Sequence, residues 1–340
     1  MRPARLLPSL LLLTSALISL PLVAGFFNRF HPAFDSVAHF RLHLAALLGL
    51  AALGLLATRF RREGAVALLL AVGAFAATPG TFVRDLIAPE AMAEAKPVDR
   101  AVYRLLHVNA RFDNAQPERL LSLIGRLRPD VVTVNEVSAM WREKLGIISY
   151  AYPNAIVCDA RGVVGGVAIL SRRPFVKGRA PRCADDGALA VARIDFSGQA
   201  ADIAALHLHW PWPFGQPAQL SRLTPALAEL SPAALLAGDF NATRWSVTVD
   251  RVARDAGLRL AGTGSATWLH RMLPATLRRT IGLGIDHVMA GADLAVHSVE
   301  TGDDVASDHL PVLTEFSLRP SPSHEGDDQE VQTVRLAEGG

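Results

Sequence analysis

The sequence predicts an α/β or α+β domain of about 220 residues carried behind an apolar N-terminal region. Three observations predict it. Short aliphatic and β-branched runs recur between residues 103 and 316, and amphipathic helical patterns lie between some of them. Before residue 84 that pattern is replaced by nearly uncharged stretches of membrane-spanning length.

The chain has 340 residues, half of them hydrophobic, and the excess is concentrated at the front. Leu6–Phe27, Leu42–Thr58 and Ala65–Val83 lack the polar stripe of a surface helix, so residues 1–84 are expected to be a three-helix transmembrane region with spans near 6–27, 42–58 and 65–83. Arg2 and Arg5 precede the first stretch, and Arg59, Arg61 and Arg62 lie between the second and third. Basic loops stay in the cytoplasm. The expectation is therefore a multi-pass inner-membrane protein with residues beyond Val83 on the extracytoplasmic, periplasmic side. A cleaved signal peptide ending near Ala24 and Gly25 is the alternative for the first stretch and leaves that side unchanged.

Residues 85–100, with Pro89 and Pro97, read as a linker. Strands are then expected at Tyr103–Val108, Val131–Asn135, Val163–Leu170, Leu189–Ile194, Ala201–Leu208, Ala234–Ala237, Ile285–Met289 and Pro311–Phe316. Helices are expected at Pro117–Arg128 and Ser221–Leu230. Residues 319–340 are polar and read as a disordered tail. Val98–Leu318 holds 23 basic and 22 acidic residues, which excludes a general electrostatic footprint for nucleic acid. Cys158 and Cys183 sit in no metal-binding pattern, and an oxidising compartment permits them to pair.

Chemically capable side chains appear where the apolar runs stop. Asn109 closes LLHVNA, Glu136 closes VVTVNE, and His207 follows IAAL; Asp239 and Asn241 follow LLAG, Asp286 follows GLGI, and Asp308 with His309 precedes LPVL. Each alone has a bland reading as a turn, a helix start or a surface histidine. Gathered at one sheet rim, they supply the oxygen ligands that Mg²⁺ (or Mn²⁺) prefers and the imidazoles that move protons. Asp239 and Asn241, two apart, share a face if the backbone stays extended, with Phe240 pointing to the core.

In order, HVNARFDN, PDVVTVNEV, GGVAILSRRP, ALHLHWPWP, AGDFNAT, ATWLH, GIDHVMAG and ASDHLPV resemble the motifs of the endonuclease/exonuclease/phosphatase superfamily, the DNase I-like fold, over about Val102–Phe316. The resemblance implies a four-layer sandwich of two packed mixed β-sheets flanked by helices over residues 101–318, with the active-site cleft at one end. It also implies a divalent-metal-dependent phosphoesterase, acting as nuclease, phosphodiesterase or phosphatase. Glu136 would be the principal metal ligand, with Asn109 and Asp308 on the metal side. Asp239 and Asn241 would orient phosphate and water, and His309, paired with Asp286, would lie close to the phosphate. His207 would be the second phosphate-facing histidine, with His209 as its competitor in HLH.

Two rim segments bear on substrate. His209 and Trp210 open a stiff aromatic loop that reads as a stacking or lipid-touching platform, or equally as a plug on the domain. Arg271, Arg278 and Arg279 precede Asp286, where they can hold extra phosphates or simply be solvated. The expected partners are a phosphoester substrate (nucleic acid, nucleotide or phospholipid head group) and the lipid bilayer, with no protein partner evident. A non-catalytic membrane-anchored binding or sensory module on the same scaffold is the rival reading.

Overall fold

The computed structural model describes residues 3–78, 94–96, 99–262 and 265–319. At the front, α1 (Pro3–Ala24) runs through a 3₁₀ turn into the short α2 (Pro32–Ala38), followed by α3 (Arg41–Leu56) and α4 (Arg61–Ala77). Among the described residues one stretch, Leu6–Phe27, is long and apolar enough to cross a membrane. This corrects the expectation of three spans. α2 and α3 reach that length only together and are bent by 62° at their junction. α4 stops after 17 residues, about 26 Å at 1.5 Å per residue, short of a typical hydrocarbon core of about 30 Å. The end of the expected third span, most of the linker and the tail from residue 320 lie outside the described residues.

Next come β1 (Tyr103–Asn109), the crossover helix α5 (Pro117–Leu127), β2 (Val131–Val137), α6 (Ala139–Gly146), β3 (Asn154–Cys158) and β4 (Gly166–Ser171). They begin the first sheet. A second sheet follows from β5 (Arg182–Ala184), β6 (Leu189–Phe196), β7 (Gln199–His207), the crossover helix α7 (Gln216–Ala228), β8 (Ala234–Asp239), α8 (Val247–Ala256), β9 (Arg259–Ala261) and β10 (Asp286–Ala290). The chain then returns to the first sheet with β11 (Leu294–Thr301) and β12 (Val312–Leu318). The strand orders are β11-β12-β1-β2-β4-β3 and β5-β6-β7-β8-β10-β9.

The two sheets share one plan. Each has a central parallel pair, β1/β2 or β7/β8, joined through a helix, with antiparallel neighbours outside it. Parallel strands need such a crossover, which brings the carboxyl ends of both strands to the same rim. An antiparallel neighbour brings its amino end to that rim, so β10 and the segment entering β12 arrive there as well. Side chains alternate between layers with period two. In β8, Leu235 and Ala237 face the other sheet, while Ala234 and Leu236 face α7 and α8. The result is helix, sheet, sheet, helix, as the family resemblance implies.

Cys158 and Cys183 form a disulfide between edge strands β3 and β5, tying one sheet to the other. The expected strand from Val163 begins at Gly166, because Gly162 and Gly165 turn the chain at positive φ. Strand β11 was not foreseen. The described part of the linker lies against it, with Glu94 N donating to Val296 O.

Candidate active site

Glu136 reaches the cleft through a local irregularity. The pairing of β2 with β4 shifts between Asn135 and Val137, and Glu136 occupies that bulge at φ 61°. A bulge re-aims one side chain out of the pleat. A non-glycine residue in the left-handed region is strained by roughly 1–3 kcal/mol. Its carboxylate accepts from Asn109 Nδ2 at 3.0 Å and from Phe112 N at 2.9 Å. Burial pushes Glu136 above its ordinary range despite these donors, and Asp308 adds to the rise.

Asp239 ends β8 opposite Asp286 of β10 and accepts from Asn109 Nδ2 at 3.0 Å. Asn109 therefore bridges the Glu136 and Asp239 carboxylates. The backbone does not stay extended past Asp239. Asn241 sits at φ 47°, its N–H donates to Asp239 Oδ1 at 2.8 Å, and its amide donates to Leu208 O at 2.8 Å. This turn, rather than strand alternation, sets the two side chains; Phe240 is buried.

His309 Nδ1 lies 2.8 Å from Asp286 Oδ2, and its Nε2 lies 3.6 Å from Asp239 Oδ2. Burial pulls the imidazolium down, but the Asp286 and Asp239 carboxylates outweigh it and push the group up to about 10. Burial raises Asp239 to about 7, with the His309 charge opposing the rise. For Asp286 burial acts upward as well, yet His309 and His107 hold it well below the usual carboxylate range. His107 was not singled out from the sequence. It lies in mid-strand, fully buried, between Thr133 Oγ1 at 3.1 Å and Asp286 Oδ1 at 3.3 Å.

His207 ends β7 with Nε2 3.7 Å from Asp239 Oδ2; burial, reinforced by His309, takes it down to about 4. His209 lies on an exposed turn, its N–H bonded to Gln219. Trp210 stacks edge-on against Trp268, whose Nε1 donates to Asp308 Oδ2 at 3.3 Å. Trp268 also bridges to His309 and was missed from the sequence, where it reads as an ordinary apolar residue.

The arginines disperse. Arg271 pairs with Asp113 at 3.5 Å near the rim, Arg278 is buried beside Asp304 at 3.8 Å, and Arg279 turns away to Thr301 and Gly302. The expected triple-arginine rim is thus not assembled; Arg278 is buried because the helical turn Arg278–Ile281 folds it inward.

The donor set fits a hard divalent cation on the Glu136 side. Asp308 Oδ1 is buried with no hydrogen-bond partner among the described residues, and Glu136 lacks a neighbouring cationic side chain strong enough to offset its burial. Asp239, Asp286 and His309 also present ligand atoms within 4.8 Å of one another. There the His309 imidazolium already supplies the positive charge.

A model of the Endonuclease/Exonuclease/phosphatase family matches residues 106–309. No curated protein sequence matches the chain significantly. Among solved structures, the endonuclease/exonuclease/phosphatase from Bacteroides vulgatus is 17% identical, with a TM-score of 0.52, covering 65% of this chain and 100% of that one. The human Nocturnin catalytic domain with bound sulfate anion is 17% identical at TM-score 0.50, over 66% and 100%. D. rerio TDP2 complexed with single strand DNA product is 18% identical at TM-score 0.50, over 64% and 99%. At these identities the likeness is one of fold.

Proposed function

The chain belongs to the Endonuclease/Exonuclease/phosphatase family, and from that premise we propose that it is a divalent-metal-dependent phosphoester hydrolase. The observation that carries the reading is the convergence of Asn109, Glu136, His207, Asp239, Asn241, Asp286 and His309 at one rim of the sandwich. Hydrolysis forms a P–O bond from water and breaks an ester P–O bond. Asp239, raised to about 7, takes the water proton at neutral pH. His309, protonated and oriented by Asp286, holds a phosphoryl oxygen as charge develops. His207, neutral near pH 7, and the Asn241 amide position the remaining oxygens. The leaving oxygen takes its proton from solvent at the cleft mouth. Glu136 with Asp308 and Asn109 would hold Mg²⁺ or Mn²⁺, which supplies charge neutralisation when bound.

The apolar stretch Leu6–Phe27 with Arg2 and Arg5 before it supports anchoring in a membrane, and the Cys158–Cys183 disulfide supports an oxidising compartment for the domain. The full site set argues against the rival non-catalytic module, which would have no use for a buried carboxylate–imidazole chain.

The test is hydrolysis of bis-p-nitrophenyl phosphate by the full chain with Mg²⁺ or Mn²⁺ and then with EDTA. Metal-dependent turnover abolished by Asp239→Asn is expected. No turnover on this substrate or on DNA, RNA and phospholipid would favour the non-catalytic module.

A further inference from the structure

The segment between α1 and α3 is bound to the catalytic domain at two loops around the cleft, and the first turn of α3 is bound at a third. Ser36 Oγ donates to Trp212 O at 2.9 Å, and the His31 ring meets Trp212 edge-on at 6.0 Å, on the loop that follows His207. Trp245 Nε1 donates to Ala38 O at 2.7 Å, and Ser246 Oγ donates to Asp35 Oδ2 at 2.6 Å, on the loop that follows Asn241. His43 Nε2 lies 2.8 Å from Ile281 O, on the loop that precedes Asp286. Each of these loops carries or abuts a residue of the candidate site, so the N-terminal helices and the cleft have a fixed mutual orientation.

Within the catalytic domain, two of these loops concentrate the exposed apolar surface. Of the twelve large apolar side chains exposed beyond residue 100 among the described residues, seven lie on the first and third loops; Phe214 is 68% exposed and Met272 is 85% exposed. On the N-terminal segment Phe30 is 79% exposed, with Phe34 also exposed. Monomeric soluble domains rarely gather such side chains in one place. The seam between segment and domain forms an open cleft of about 200 Å³ lined by Phe30 and Trp212 together with Arg29 and Arg251, which lie 3.9 Å from Asp250 and 3.5 Å from Asp255. Guanidinium groups beside aromatic rings suit the phosphate-rich boundary of a bilayer. This surface is continuous through Gly25–Phe27 with α1, which lies in the stretch of membrane-crossing length found among the described residues.

We propose that the Arg29–Phe40 segment and the loops at Trp210–Phe214 and His270–Ile281 form one bilayer-contact surface, which seats the cleft mouth on an anionic membrane and admits phosphoesters carried by lipids. The substrate part rests on the phosphoester-hydrolase reading; the contact surface does not. Seating by apolar side chains and anionic lipid is the physics of an interfacial element.

The experiment has two arms, both on the full chain reconstituted in vesicles of phosphatidylcholine and phosphatidylglycerol. In the first, brominated acyl chains quench tryptophan fluorescence, and Trp212→Phe is expected to remove a large share of the quenching; no quenching, or quenching unchanged by Trp212→Phe, overturns the surface. In the second, Phe30→Ser combined with Phe214→Ser is expected to lower hydrolysis of a vesicle-borne lipid phosphoester about tenfold or more, while hydrolysis of soluble bis-p-nitrophenyl phosphate changes less than about twofold. Equal loss on both substrates, no loss on either, or a soluble oligonucleotide outcompeting the lipid in the same vesicles overturns the proposal. Absence of all hydrolysis would instead sink the hydrolase reading, and the quenching arm would still decide the surface.

Discussion

Asp286 holds His309 through a 2.8 Å contact between Oδ2 and Nδ1, leaving the far nitrogen of the ring facing Asp239 across the cleft. The pair is buried, and Asp286 is held from behind by His107 at 3.3 Å. Asp286 thus orients the imidazole and, with Asp239, keeps it charged.

That relationship sets the pH dependence. Activity that needs Asp239 ionised and His309 protonated is bell-shaped, rising through about 7 and falling as His309 loses its proton near 10. The sign for stability follows the same shift. His309 is raised, so its contribution is complete below its unfolded value near 6.5 and is lost as pH rises through about 10. Asp286→Asn is expected to bring the alkaline limb of the rate profile down toward neutrality and to lower turnover by about 100-fold or more. An alkaline limb unmoved in a folded Asp286→Asn protein would contradict the pairing.

Glu136 combines left-handed φ, burial and a raised pKa, so its ionised side chain is unfavourable for the fold until positive charge arrives. Glu136→Ala is therefore expected to keep or slightly raise thermal stability without metal while lowering kcat by about 100- to 10,000-fold. Added Mg²⁺ or Mn²⁺ should raise the Tm of the wild-type chain and not that of the variant. Equal metal-induced shifts in both proteins would remove Glu136 from the cation site.

The cleft was legible in outline because its residues end apolar runs: Asn109, Glu136, His207 and Asp239 each stand where a central strand stops, and the topology brings those ends together. What stayed hidden depends on partners. His107 looks like core because its polar role exists only beside Asp286 and Thr133. The bulge at Glu136 is a property of two strands, and the turn at Asn241 of a hydrogen bond back to Asp239. Arg278 and Arg279, adjacent in sequence, point to opposite fates because a short helical turn separates them by about 100°. Among the described residues the three-span reading fails on length, which hydropathy alone overstates where helices are bent or short.

The Cys158–Cys183 disulfide closes a 25-residue separation between edge strands that have no direct ladder to each other. Replacing both cysteines with serine is expected to lower stability by about 3 kcal/mol, within a wide range for such loops. Because the bridge lies on edge strands outside the cleft, kcat of the folded variant should stay within about twofold of wild type. Urea unfolding with and without reductant checks the first expectation, and a large loss of turnover at full occupancy of the fold would contradict the second.

Asp35 offers the sharpest test of whether the N-terminal segment belongs to the catalytic body. It is buried, and its carboxylate accepts from Asn28 Nδ2 at 3.3 Å, Ser246 Oγ at 2.6 Å and Val247 N at 3.1 Å. Through Ser246 and Val247 it binds the start of α8, where backbone N–H groups lack helical partners and a negative charge is favoured. Asp35→Ala deprives the Ser246 hydroxyl and the Val247 N–H of this acceptor, at about 1–3 kcal/mol for each group that water cannot reach, while Asn28 Nδ2 keeps its bond to Trp245 O at 3.1 Å. The loop from Asn241 to Ser246 then loses its outer support while His287, through its 2.7 Å contact with Ala242 O, still holds the inner side. Turnover should fall more than substrate affinity, because Asn241 is displaced from a reacting group rather than removed from a binding surface. A chain truncated before Val98 should show the same kcat loss, and Asp35→Asn, which keeps one acceptor oxygen, should recover part of it. Full turnover in the truncated chain would show that the helices are a detachable anchor.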